Sequence, residues 1–203
     1  MPGTPRDNFV RTRFHRRIYP LEPRPADVYI DDLIWSLSQI CRFNGHTDGI
    51  YSVGQHSCHV HDLVKAWGAG EVVRAQALLH DGSEYEIGDL ARPIKHAQGD
   101  PELEELGRVF RKVEARIQSA IYERFKLPTE EDPLVKEADR ILLVTEQRDF
   151  MGHRPLAGNK GASLAQFQPL EQELKIWSPA RTRRRFANRL RACGIDVPQE
   201  LGF

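Results

Sequence analysis

The chain has 203 residues, with 29 Lys and Arg balanced by 29 Asp and Glu and 40% hydrophobic residues. That length and apolar content suffice to bury one core, which excludes a disordered tail, and zero net charge excludes a protein whose main business is coating nucleic acid. The three cysteines, Cys41, Cys58 and Cys193, are far apart with no CxxC pair, so neither a disulfide framework nor a cysteine zinc site is indicated. No apolar leader opens the sequence, and no stretch approaches the roughly 18 apolar residues of a membrane span, so the expectation is a soluble, cytoplasmic protein with no membrane partner.

Residues 1–27 are rich in Arg and Pro (Arg11, Arg13, Arg16, Arg17, Pro20, Pro23, Pro25) and short of periodic apolar positions, which predicts an extended arm lying on the body. From Asp27 to Ile40, Ile30, Leu33, Ile34, Leu37 and Ile40 recur at helical spacing, with Asp31 and Asp32 in the first turn where the helix dipole favours anions. After a turn at Asn44–Gly49, Ser52 with Gln55 three residues on reads as a capping box, opening a helix to about Trp67 that Gly68 and Gly70 stop. From Glu71 to about Glu86 the apolar residues Val72, Val73, Ala75, Ala77, Leu78 and Leu79 lie on nearly every side, as in a helix buried within a bundle.

Pro101–Phe125 carries the stripe Leu103, Leu106, Phe110, Val113, Ile117, Ile121, and Pro128 ends it. Pro133–Phe150 repeats the pattern with Leu134, Val135, Ala138, Ile141, Leu142 and Thr145, and the simple picture is an antiparallel helix pair. Gly152–Gln168 reads as a loop, and a last helix starts with Ser178 as cap and Pro179 in its first turn, ending near Gly194. No run suggests a sheet. The expected fold is all-α, a single domain over residues 1–203: an arm (1–27), a helical core (28–150), and a loop with a C-terminal helix (151–203).

The informative residues are polar ones on faces that periodicity buries. His80 and Asp81 follow Ala77, Leu78 and Leu79 directly, where an unpaired ionisable group is costly. Asp139 lies four residues after Val135 and three before Leu142, and His56 lies four before Val60 and seven before Leu63. Any one of them alone is more often a satisfied core or surface residue. Together, two imidazoles and two carboxylates from three helices form a divalent-metal site, because a cation offsets the desolvation of all four. A nitrogen and oxygen donor set without thiolate suits Mn²⁺, Co²⁺, Fe²⁺, Ni²⁺ or Mg²⁺ better than a closed structural zinc, and the identity of the ion stays open, zinc included.

The ordered set of His56, the pair His80-Asp81 and the later Asp139 resembles the HD-domain phosphohydrolase superfamily, with these residues on its ligand positions. The segments CRFNGHTDGIYSVGQHS (Cys41–Ser57), HDGSEYEIGDLARPIK (His80–Lys95) and VKEADR (Val135–Arg140) are similar to the branch holding bacterial 5′-deoxynucleotidases and phage-type deoxynucleoside triphosphate triphosphohydrolases. The resemblance covers roughly Arg16 to Arg148; residues after Phe150 add nothing to it. Gly82 stands where an alanine is expected, a departure read as harmless.

The resemblance implies an HD-type bundle with one divalent ion that hydrolyses a (deoxy)nucleotide phosphate ester or anhydride, with homo-oligomers expected. Glu84, one helical turn beyond His80, would hold the attacking water and take its proton, and Asp89 would assist. Arg42, Lys95 and Lys136 match phosphate-contacting positions, where cations stabilise the charge of phosphoryl transfer. Phe43 either stacks on a base or sugar or is a core aromatic.

Other features are discounted. On a helix His61 falls away from the His56 face, so His56, His59 and His61 cannot share an ion, and His59 and His61 are read as structural or exposed. His96 is the only histidine between Asp81 and Asp139, which favours a mononuclear site. The tract RTRRRFANRLR (Arg181–Arg191) is read as a solvated or subunit-contact face, so the partner expected is a small-molecule nucleotide and not nucleic acid. The alternatives are a two-metal HD phosphodiesterase or oxygenase, and a non-catalytic HD protein that binds nucleotide or nucleic acid.

Overall fold

Side-chain caps and prolines set where most of the longer helices start. In the computed structural model, which describes residues 8–152, 164 and 166–199, these helices are α1 (Ile30–Leu37), α2 (Val53–Ala66), α3 (Glu71–Leu79), α4 (Glu84–Ile87), α5 (Arg92–Lys95), α6 (Pro101–Arg124), α7 (Pro133–Phe150) and α8 (Pro179–Ala192). Ser52, Asp100, Asp132 and Ser178 each accept a backbone N–H of the first turn of α2, α6, α7 and α8, and a proline opens each of the last three. Gly68 (φ 84°) and Gly194 (φ 76°) end α2 and α8 in left-handed conformations that glycine adopts without strain. The fold is all-α and single-domain. Among the described residues, strand structure is a two-residue antiparallel ribbon in the arm, β1 (Val10–Arg11) with β2 (Arg17–Ile18), register Val10 to Ile18, and an isolated bridge between Cys41 and Ser52. Arg16 holds this arm to α1 through Asp31 and Asp32 and lies 4.3 Å from the Tyr29 ring centre.

α2 is the centre of the bundle and packs against α3, α7 and α8. Its Val53 and Cys58 join a core with Leu33, Leu37, Leu78, Ile121 and Phe186, while its Val60 and Val64 meet Val135, Ala138 and Leu142 of α7. A third cluster, Tyr51 with Phe150 and Leu174, closes the other end of α7. The three helices that carry or adjoin the candidate ligands, α2, α3 and α7, are therefore packed directly on one another.

The structure corrects the sequence reading in several places. The helix expected over residues 71–86 breaks: α3 stops at Leu79 and the chain runs through i→i+3 turns before α4. The break is stabilised from outside, because Gln118 of α6 donates to the Leu79 carbonyl (2.6 Å) and accepts from the Ser83 N–H (3.0 Å). Gly82 sits in this break, and a Cβ there would lie 2.8 Å from the Leu79 carbonyl oxygen and 3.1 Å from Ile121 Cδ1, so the glycine is not an innocuous replacement for alanine.

The expected antiparallel pairing of α6 with α7 is not the main packing of either. α7 lies on α2 and α3, whereas α6 lies on α5, α3, α4 and the 3₁₀ turn Pro25–Asp27. Along the α6 stripe only Ile117 and Ile121 are buried; Leu103 and Leu106 are 47% and 51% exposed. The capping box at Ser52 is half formed, since the Gln55 side chain instead donates to the Lys175 carbonyl (2.8 Å) and accepts from the Trp177 N–H (2.8 Å), docking the segment before α8. The loop expected at 152–168 lies largely outside the described residues. None of the described helices is long and apolar enough to cross a membrane.

The arginine tract of α8 is engaged within the chain. Arg189 forms a two-pronged pair with Asp62 (2.5 and 2.8 Å), Arg183 lies 4.2 Å from the Trp35 ring centre, Arg185 lies 4.6 Å from that of Trp177, and Arg191 donates to the carbonyls of Val197 and Pro198. Guanidinium groups stacked on tryptophan and paired with a carboxylate serve to fasten α8 onto the bundle.

Candidate metal centre

Three of the predicted ligands face one another. His56, on α2, is fully buried, and His80, the residue closing α3, is nearly so. Their Nε2 atoms stand 3.3 Å apart, and Asp81 Oδ2 lies 3.7 Å from that of His56 and 3.3 Å from that of His80. One donor atom from each of His56, His80 and Asp81 falls within 4.8 Å of the other two. Asp139, presented by α7, approaches the imidazoles from another side, its Oδ1 3.1 Å from His56 Nε2 and 4.0 Å from His80 Nε2, and stands outside that mutual group.

The second nitrogen of each ring decides what the first can do. His80 Nδ1 lies 2.9 Å from the Ala77 carbonyl, an acceptor only, so Nδ1 carries a hydrogen and Nε2 is the nitrogen left to face a cation. His56 Nδ1 is held in the same way by Glu146 Oε1 at 2.5 Å. An imidazole oriented by a carboxylate or carbonyl behind it is the usual arrangement of a metal-binding histidine. With metal–nitrogen bonds of about 2.0–2.1 Å, two donors of one ion lie roughly 3 to 4 Å apart. The five separations above, 3.1 to 4.0 Å, fit that requirement. These residues fit a divalent cation.

The electrostatics point the same way. Burial works against a charged His80, yet Asp81 and Asp139 push its pKa up to about 10, a measure of how strongly the carboxylates favour a positive charge between them. Asp81 is held well below the ordinary carboxylate range; burial opposes this, and His80, Arg42 and His56 override it.

Sequence reasoning missed Glu146. This glutamate is fully buried and satisfied on three sides: by His56 Nδ1, by the Tyr51 hydroxyl donating to Oε1 (2.7 Å) and by Arg42 Nε donating to Oε2 (3.3 Å). Burial raises the pKa of such a group, but His56 and Arg42 bring it below normal, so it stays ionised. Its signal was its spacing, seven residues or two turns after Asp139, on the same face of α7.

The predicted phosphate-binding residues divide. Arg42 is delivered by a tight turn in which Phe43 and Asn44 adopt positive φ (54° and 51°), anchored by Arg42 N–H to the Tyr51 carbonyl (2.9 Å). Its guanidinium bridges Glu146 and Asp81 (3.1 Å), so it is committed to the site's own carboxylates. Phe43 packs partly buried against the Tyr51, Phe150 and Leu174 cluster, the core alternative of its two readings. Lys95 Nζ is 2.7 Å from Glu114 and 3.9 Å from Glu84 Oε1. Lys136 is exposed, one turn before Asp139.

Glu84 lies in α4, across the break from His80 and not one turn along a continuous helix. It is 4% exposed, and its Oε2 has no hydrogen-bond partner. Burial, then the negative charges of Asp81 and Asp89, raises its pKa to about 9. Asp89 follows the Gly88 turn (φ 76°) and acts on Glu84 through its charge. Outside the site, His59 packs at a tilt against Trp177 with ring centres 4.8 Å apart, and His61 is buried beside Asp62, Nδ1 to Oδ1 2.9 Å, so neither joins His56.

Fold and site together define an all-helical protein with a His-His-Asp cluster suited to a divalent ion. No family model matches the chain. The chain is 34% identical over 143 residues to the Escherichia coli K12 protein YfdR, across 70% of this chain and 72% of YfdR, and it belongs to the family of that protein. It is also 38% identical over 117 residues to the Rhodobacter capsulatus protein RCAP_rcc00048, across 56% of each chain. Both relatives are described as uncharacterized.

Proposed function

We propose that this chain is an HD-domain phosphohydrolase that uses one divalent cation to hydrolyse a phosphate ester or anhydride of a nucleotide, most naturally a deoxynucleotide. The observation that carries the reading is the convergence of His56 Nε2, His80 Nε2 and an Asp81 oxygen, with both imidazoles fixed from behind. His56, His80 and Asp81, with Asp139 beside them, would hold the ion; when bound, it supplies a Lewis acid for a phosphoryl oxygen.

The rest of the chemistry belongs to the chain. Glu84 is buried with one oxygen unpartnered, and the negative charges of Asp81 and Asp89 favour its protonated form; a cation held by His56, His80 and Asp81 would offset those charges and bring the carboxylate toward the range in which it takes a proton from water. Lys95, 3.9 Å from Glu84, supplies positive charge for a phosphoryl group presented beside that carboxylate, and Lys136 supplies a second charge from the rim near Asp139. Arg42 keeps Asp81 and Glu146 in place, so its contribution is positioning.

The test is a phosphate and pyrophosphate release screen of ribo- and deoxynucleotides at each phosphorylation level with Mn²⁺, Co²⁺ or Mg²⁺, run beside Glu84→Gln. The reading expects release from at least one nucleotide and a loss of about 10²-fold or more in kcat for Glu84→Gln, with metal content unchanged. A metal-loaded protein that releases nothing from any nucleotide contradicts it.

A further inference from the structure

The N-terminal arm does not lie flush on the helices beneath it. Between its residues 10–13, α1 and Tyr85 of α4 a half-open cavity of about 300 Å³ remains, enough for a small organic molecule, and none of the candidate metal ligands lines it. Its lining changes character from inside to outside. Ile18, Asp32 and Tyr85 are buried, Trp35 and Ile40 are half-buried and apolar, and Arg11 and Arg13 of the arm are exposed. Trp35 is fixed in place by Arg183 of α8 (4.2 Å from the ring centre) and by the edge of Phe14 (ring centres 5.9 Å apart), with Arg13 at 5.3 Å.

The inner end lacks a positive donor. Arg16 Nη1 reaches Asp32 Oδ2 at 3.4 Å and the Thr12 side chain also bonds this carboxylate, but Oδ1 is buried with no hydrogen-bond partner. Arg16 is shared with Asp31, its nearer partner, so one cation serves two carboxylates. The charges of Glu86, Asp32 and Asp27 act together on the Tyr85 hydroxyl beside them, which adds to the negative surplus. A carboxylate 2% exposed with an unmatched oxygen costs free energy until a donor reaches it. The outer end has the opposite bias, since Arg11 and Arg13 bring two positive charges to the exposed side of the cavity.

We propose that this cavity is a second binding site, for a small dipolar molecule. A protonated amine at one end donates to Asp32 Oδ1, an apolar or aromatic body lies along Trp35, and an anionic group at the other end meets Arg11 and Arg13. Access to Oδ1 needs Thr12 to give way, and Thr12 sits in the turn of a ribbon whose strands are two residues long. The assignment does not depend on the proposed phosphohydrolase activity, because binding is read without metal or nucleotide.

The experiment titrates three matched compounds, para-(aminomethyl)benzoate, benzylamine and para-methylbenzoate, into the full chain by calorimetry, with NMR shifts to locate them. The dipolar compound is expected to bind at one per chain, about 10-fold or more tighter than either compound lacking one end. It should shift Arg13, Trp35 and Tyr85 and leave His56 and His80 unmoved. Asp32→Asn, which keeps the Arg16 pair with Asp31, weakens the dipolar compound about 10-fold or more. Arg11→Ala with Arg13→Ala weakens it similarly and leaves benzylamine unchanged. The wild-type shifts decide the location whatever the stability of the variants. The proposal is overturned if the wild-type chain shows no saturable binding, which would leave a cavity for water only. Equal binding of the three compounds, undiminished binding by Asp32→Asn, or shifts away from the cavity overturn it as well.

Discussion

α7 and the N-terminal half of α6 carry the same kind of apolar spacing and end in opposite situations. α7 sinks its stripe against α2 and adds two carboxylates, Asp139 partly exposed and Glu146 fully buried, whereas α6 leaves Leu103, Leu106 and Val109 in solvent. Where buried polar groups break the amphipathic rule they belong to the candidate site. The departures from periodicity, more than the periodicity, carry the function.

The comparison can be broken at several points. The largest effect is expected at Glu146. Glu146→Ala leaves His56, Tyr51 and Arg42 facing a buried gap and costs about 3–5 kcal/mol in denaturant unfolding, while the milder Glu146→Gln folds and lowers metal affinity about 10- to 100-fold. Equal metal affinity in Glu146→Gln would reduce Glu146 to a structural residue. Next comes a matched pair: Leu142→Ala, in the α7 core, costs about 2–5 kcal/mol, and Leu106→Ala costs less than about 1 kcal/mol. Similar costs would mean that the Leu106 face is covered within the chain.

A third prediction concerns acid. Burial against Trp177 lowers the His59 pKa from 6.5 to about 4, so the folded state resists a proton that the unfolded chain accepts. The sign follows: this contribution is fully present above pH 6.5 and is lost as the pH falls toward 4, on the order of a few kcal/mol. His59→Gln should flatten that part of the stability profile between pH 7.5 and 5, and an unchanged slope contradicts the assignment. The last prediction concerns Gly82, where alanine should cost about 1–3 kcal/mol as a lowered Tm, because the Leu79 carbonyl is backbone and cannot step aside cheaply. No change in Tm would show that the break between α3 and α4 has room.

Much of the frame was legible because its causes are local. Ser52, Asp100, Asp132 and Ser178 are short-range caps, and the burial of His56 and His80 follows from their apolar neighbours on α2 and α3. What escaped depended on distant partners. The break after Leu79 rests on Gln118, thirty-nine residues away in sequence. The Arg-rich α8 reads from its sequence as a solvated or subunit-contact face, because its partners Trp35, Trp177 and Asp62 lie outside the helix. Glu146, among the polar residues Gln147, Arg148 and Asp149 near the end of α7, gave no local sign that Arg42 and Tyr51 would reach it from a turn about a hundred residues earlier.

The central claim is that His56, His80 and Asp81 share one divalent cation, and Co²⁺ titration of the apo-protein with mass-spectrometric metal counting tests it directly. The account predicts saturation at one ion per chain with a visible ligand-field band, both lost in Asp81→Ala and in His80→Ala while the fold is retained. Binding that survives those substitutions, or a wild-type chain that takes up no ion, contradicts it.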